Sequence, residues 1–218
     1  MDFSEQLHQA EIRDSLEKIL SEHCSQENLK EYDSKFKHDK NLLSLLSRNG
    51  YLGLGLNEKY GGSGEDLYDL GILFEQLGYH AAPLSLSGCL VDVAQTMQKF
   101  SNERSCKEIL SSIIAGEIYT SAILEPSNQD PENPMTTATI ENDQLIISGT
   151  KYLSEISSIA KSILISVNSS EGVLLVLVES DKVKLTELAS TANSPLFKVE
   201  LDSVRISKES IIHEQGRG

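Results

Sequence analysis

Apolar residues recur at three- and four-residue steps through the first half of the chain, the spacing of one face of an α-helix. Leu7, Ile12, Leu16, Ile19 and Leu20 mark the first such face, with Glu, Lys and Arg on the other side. A second helix is predicted over about 39–48, carrying Leu42, Leu43, Leu45 and Leu46. It stops at Asn49-Gly50, a pair suited to a helix C-terminus. A third begins near Asp66 and runs through Leu70, Leu73, Phe74 and Leu77 to Gly78. Pro83 is placed to open a fourth, with Leu90, Val93, Ala94 and Met97 along it. A last helix covers about 103–115, through Ile109, Ile113 and Ile114, and ends at Gly116.

From Tyr119 the period falls to two and β-branched residues take over. Ile163 to Val167 and Val173 to Val178 read as short strands, with Asn168 to Gly172 turning between them. Phe197, Val199 and Leu201 alternate with Lys198, Glu200 and Asp202, so one face of that strand is buried and the other wet. Val204 and Ile206 resume the alternation one residue out of phase, which predicts a bulge. No βαβ alternation and no glycine-rich phosphate loop is present, which argues against a Rossmann fold. The predicted fold class is α+β and multidomain. An all-α bundle over residues 1–117 is followed by an antiparallel β-barrel or sandwich over 118–218.

Charge narrows the function classes. A net charge of −14 on 218 residues argues against nucleic acid as a partner, because phosphate binding requires a Lys/Arg-rich face. No stretch reaches the roughly 18 apolar residues that span a bilayer. Met1-Asp2-Phe3-Ser4-Glu5 lacks the basic and apolar regions of a secretory signal, so no membrane association is expected. Cys24, Cys89 and Cys106 are odd in number and far apart, as reduced thiols of a cytoplasmic protein would be. His8, His23, His38, His80 and His213 include no ligand pair at helical spacing, and no metal is expected.

Five segments, in order, resemble the acyl-CoA dehydrogenase family. The first joins Leu46 to Leu54 with Glu58-Lys59-Tyr60-Gly61-Gly62-Ser63-Gly64, where the family has a helix ending in glycine, then L-G-L, then a P-E-x-Y-G-G-x-G turn. Asn57 stands where proline is usual. Phe74-Glu75-Gln76-Leu77-Gly78 with Ala82-Pro83, Ile114-Ala115-Gly116-Glu117, Leu124-Glu125-Pro126, and Leu145 to Lys151 supply the others. Glycines at these places permit positive φ or close backbone approach in turns, so the matches speak to fold before activity.

The resemblance implies FAD as cofactor and α,β-dehydrogenation of an acyl-CoA thioester as the reaction. It places the carboxylate base in a C-terminal helical domain that this chain, ending at Gln215-Gly216-Arg217-Gly218, lacks. No catalytic residue is therefore assigned, and the chain alone is expected to be inactive. Carried onto this sequence, the flavin-lining positions are Ser121, Ile123 and Leu124 on one strand and Leu153, Ser154 and Glu155 on another. Ser127 and Gln129 fall in the loop near pyrophosphate or thioester.

Three departures bear on the cofactor. Leu124 stands where a hydroxyl residue usually donates to flavin, and Ser127 to Pro131 replace a glycine-rich loop. Glu155 falls where a threonine usually touches the ring, and a carboxylate there disfavours the reduced anion. Retention of FAD is therefore left open. Three functions follow from the resemblance: part of an FAD-dependent dehydrogenase, a flavin-deficient subunit of a heteromeric one, or a flavin-dependent hydroxylase of the same fold. The prolines at 126, 131 and 134 followed by Thr136 to Ala138 resemble divergent bacterial members, some acting on steroid or other bulky side chains and some heteromeric. An uncovered apolar face is expected, and with it a homo-oligomer or a heteromeric partner.

Overall fold

The computed structural model describes residues 5–33, 38–64, 66–128, 130–190 and 195–214. Gln129 and the terminal 215–218 lie outside the described residues. The chain divides into two compact units, residues 1–84 with 114–116, and residues 85–113 with 117–218.

Unit 1 contains α1 (Leu7–His23), α2 (Gln26–Asp33), α3 (Lys40–Arg48) and α4 (Leu67–Tyr79), with single turns at Tyr51–Gly53 and Glu58–Tyr60. Leu16 and Leu20 of α1 and Leu70, Leu73 and Leu77 of α4 are buried where these helices pack. Gln9 donates to Asp69 across the same seam at 3.0 Å, satisfying two buried polar groups. Helix α3 starts where its pattern predicts because the buried Asp39 carboxylate accepts from the N–H groups of Asn41 and Leu42. Asp39→Ala is expected to lower stability by about 1–2 kcal/mol, the size of a lost N-cap, in urea denaturation.

Unit 2 begins with a wide π-type turn (Gly88–Val93) leading into α5 (Ala94–Phe100) and the body of α6 (Glu103–Ile114). The helix expected to open at Pro83 thus starts five residues later. Pro83 instead lies outside any helix and its carbonyl accepts the Asp39 N–H at 3.1 Å. Gly88 can begin the turn because it has no side chain: a Cβ there would come 2.8 Å from Thr120 Oγ1.

The strands are β1 (Tyr119–Ala122), β2 (Thr137–Glu141), β3 (Gln144–Glu155), β4 (Ser162–Ser169), β5 (Gly172–Glu179), β6 (Lys184–Leu188), β7 (Leu196–Ser207) and β8 (Ile211–Glu214). They form one eight-stranded sheet in the order β6-β7-β3-β2-β4-β5-β8, with β1 beside β4. Helices followed by a largely antiparallel sheet is the expected fold class. β1 is the main departure, because it runs parallel to β4 from Tyr119↔Ser162 to Ala122↔Ile165. The whole β2–β3 hairpin lies between β1 and β4 in sequence, long enough for the crossover that parallel neighbours require.

Inward residues of six strands, including Leu145, Ile147, Ile165, Val176 and Val199, meet in one buried cluster. The predicted bulge is present: the β3–β7 register shifts between Ile147↔Val204 and Gly149↔Leu201, with Ser203 at φ 53°. All three cysteines are free. Among the described residues no helix is long and apolar enough to cross a membrane, and no cluster of His, Cys, Asp or Glu side chains is placed to hold a metal ion.

Candidate functional site

Two charges inside unit 2 fix the geometry around β1. Lys151 of β3 is fully buried and Glu125 is 6% exposed. The Lys151 ammonium donates to Glu125 Oε1 at 2.8 Å, to Ser166 Oγ at 3.1 Å and to the Ile123 carbonyl at 3.4 Å. Glu125 also accepts from the Met135 N–H at 2.6 Å, the Thr136 N–H at 2.8 Å and the Thr136 hydroxyl at 2.6 Å. Burial disfavours the Glu125 carboxylate, but these donors outweigh it and hold the carboxyl down to about 2. Burial pulls the Lys151 ammonium below its ordinary value, opposed by Glu125. The pair therefore joins β3, β4, the extension of β1 and the residues leading into β2. A lone lysine within a strand reads as a solvent-facing residue in sequence. Its one signal was the co-occurrence of Glu125-Pro126 and Lys151 among the resembling segments.

Beyond Lys151 the β3–β7 register shifts, so that Lys151 pairs with Val199 and Ser154 with Phe197. Leu153 sits at the shift with φ 57°, a conformation that costs a branched residue energy and re-aims its neighbours. Ser154 consequently points inward, 1% exposed, donating to the Ser121 carbonyl at 2.7 Å. Leu153 and Glu155 point the other way. They line a cleft of about 260 Å³ with Tyr152, Ser121, Ala122, Ile123 and Leu124. Ser87, Gly88 and Asp92 of the helical lead-in and Thr120 complete it.

One wall of the cleft is apolar, with Leu124 43% and Leu153 45% exposed. The rim is acidic. Glu155 accepts from the hydroxyls of Ser85 and Ser87, and Asp92 accepts from the Ser121 hydroxyl. Thr120 Oγ1 donates to the Glu155 carbonyl at 2.8 Å. Among the described residues lining the cleft there is no Lys, Arg or His.

Of the residues picked out in sequence, the cleft brings together Ser121, Ile123, Leu124, Leu153 and Glu155. Ser154 is turned into the interior by the bulge. Ser127 lies exposed in the Glu125–Asn128 turn and does not line the cleft, and Gln129 is outside the described residues. Sequence reading missed Asp92, because a single acidic residue beside a helix start reads as surface. Ser85 and Ser87 gave no signal either.

Comparison with known proteins places these features in context. The profile of the acyl-CoA dehydrogenase N-terminal domain matches residues 6–117. Among curated proteins, acyl-CoA dehydrogenase FadE12 of Mycobacterium tuberculosis is 27% identical over 192 residues, covering 82% of this chain and 49% of its own length. The chain thus spans about half the length of that relative. Among solved structures, the ChsE4-ChsE5 complex of Mycobacterium tuberculosis superposes with a TM-score of 0.90 at 20% identity, covering 99% of this chain and 59% of that one. A glutaryl-coenzyme A dehydrogenase–glutaryl-CoA complex gives a TM-score of 0.88 at 19% identity, covering 100% of this chain and 59% of that one. At these identities the structural likenesses speak to the fold.

Proposed function

We propose, from the premise that this chain belongs to the acyl-CoA dehydrogenase family, that it forms the helical part (1–117) and β part (118–218) of a flavin-dependent oxidoreductase acting on acyl-CoA thioesters. The observation that carries this reading is the cleft of unit 2, where an apolar wall stands on a buried ion pair. Its size and apolar side suit an uncharged isoalloxazine ring. Ala122, Ile123, Leu124 and Leu153 would form the surface beneath that ring, with Ser121 and Glu155 at its edge. When bound, FAD would supply the acceptor for the two electrons leaving the Cα–Cβ bond of the thioester. This chain's residues would orient the ring and exclude water from one side of it. Ser127 and Gln129 are proposed toward the thioester or pyrophosphate. The base that takes the α-proton would come from a C-terminal helical domain, so activity needs that domain or a partner subunit.

Purified chain titrated with oxidised FAD tests the reading. Visible flavin absorbance is expected to stay with the protein through gel filtration. Leu124→Thr restores a hydroxyl donor at the ring edge and should tighten binding by about fivefold, the equivalent of one net hydrogen bond of about 1 kcal/mol. Absence of flavin from both proteins would discard this reading.

A second reading has specific support. Two carboxylates on the cleft rim and no donor at Leu124 suit a subunit that keeps the fold without the flavin. Such a subunit would work beside a flavin-bearing partner, and the ChsE4-ChsE5 neighbour is itself a complex.

A further inference from the structure

We infer that the cleft selects its ligand by charge: it takes a flat ring that is neutral and rejects the same ring as an anion. The inference deepens the proposed flavin site and rests on that reading. Asp92 and Glu155 approach the cleft from different elements, the helical lead-in and the end of β3. No cation lines the cleft among its described residues, so no lining side chain neutralises them. Four of the hydroxyls around the cleft, the Tyr152 phenol excepted, are already committed. Ser85 and Ser87 donate to Glu155, Ser121 donates to Asp92, and Thr120 donates to the Glu155 carbonyl. An oxidised isoalloxazine is uncharged and can rest on the apolar wall without charge repulsion from the two carboxylates. Its reduced form, deprotonated at mildly alkaline pH, would bring a negative charge toward two others with no donor free among these four hydroxyls.

At an effective dielectric between those of a protein surface and bulk water, two carboxylates several ångströms away disfavour the anion by about tenfold in affinity. For a two-electron couple, tenfold corresponds to a potential about 30 mV more negative than that of the free ring. The chain would thus hold a flavin that is harder to reduce and that leaves more readily once reduced.

The test uses riboflavin, which lacks the phosphates of FAD, titrated anaerobically into the full chain in oxidised and in dithionite-reduced form at mildly alkaline pH. Oxidised riboflavin is expected to bind about tenfold tighter than reduced riboflavin. Glu155→Gln and Asp92→Asn keep the shape and the oxygen that accepts the serine hydroxyls. Each should narrow that ratio by about threefold, with circular dichroism confirming the fold. Equal affinity for the two forms in the unmodified chain, or an unchanged ratio in both variants, overturns the inference and leaves the flavin reading standing. Failure of either form to bind any of the three proteins overturns both.

Discussion

Replacing Lys151 with methionine is expected to lower folding stability by about 3–5 kcal/mol, seen as a reduced urea midpoint. The loss has little to do with the net strength of the ion pair. Burying both charges is costly, and the lowered Lys151 pKa reflects that cost. What the substitution exposes is the remaining partner: Glu125, 6% exposed, would keep its charge without the cation that pairs with it. A surface control should behave differently. Lys184 is 75% exposed and meets Glu200 at 3.2 Å, and Lys184→Met should change stability by less than about 1 kcal/mol.

The same pair sets a pH dependence. The Glu125 carboxyl is held at about 2 in the fold against an ordinary 4.5, so the unfolded chain takes up this proton first as pH falls. Its contribution, on the order of 3 kcal/mol, is complete above the unfolded value of 4.5 and is lost as pH drops toward 2. In Lys151→Met the carboxyl loses a donor and its pKa rises toward the unfolded value, so this contribution shrinks and stability should fall less steeply between pH 4.5 and 2 than in the unmodified chain. Urea midpoints measured across the acid range would show this. Identical acid profiles for the two proteins would mean that Glu125 does not depend on Lys151.

Gly149→Ala is expected to be nearly as damaging, by about 3 kcal/mol, the upper part of the range for overpacking. A Cβ at residue 149 would lie 2.5 Å from Thr136 Oγ1 and 2.7 Å from its Cα and Cβ. Thr136 is fully buried and gives Glu125 two of its hydrogen bonds, so it cannot retreat without loosening the ion pair. The effects of Gly149→Ala and Lys151→Met should therefore be non-additive in a double-mutant cycle. Gly71 offers a contrast: it is exposed in α4, an added methyl there would meet nothing within 4 Å, and Gly71→Ala should stabilise by about 0.5–1 kcal/mol. A neutral Gly149→Ala would show that Thr136 moves freely.

These two positions mark where sequence reading stops. Helices α1, α3, α4 and α6 were legible because leucine and isoleucine stripes give each a buried face. Helix α2 was not, since Gln26–Asp33 carries Leu29 as its one aliphatic residue and shows no stripe. The bulge near Ser203 could be read from the slip in alternation. The one at Leu153 could not, because Tyr152-Leu153-Ser154 interrupts any alternation that a slip could shift. That second bulge decides which side chains enter the cleft, and it separates Ser154 from Leu153 and Glu155. The burial of Lys151 was illegible for a different reason: pattern assigns charge to the surface, and only three-dimensional convergence of Glu125, Ser166 and the Ile123 carbonyl makes a buried ammonium tolerable. The parallel pairing of β1 with β4 joins residues about forty apart, beyond the reach of local periodicity.

The most direct measurement is a leucine-methyl NMR titration of the chain with oxidised riboflavin. Ring-current shifts are expected at Leu124 and Leu153, with Leu16 and Leu42 in the buried core of unit 1 unmoved. Shifts confined to other leucines, or none at saturating ligand, would contradict a flavin-receiving wall at this cleft.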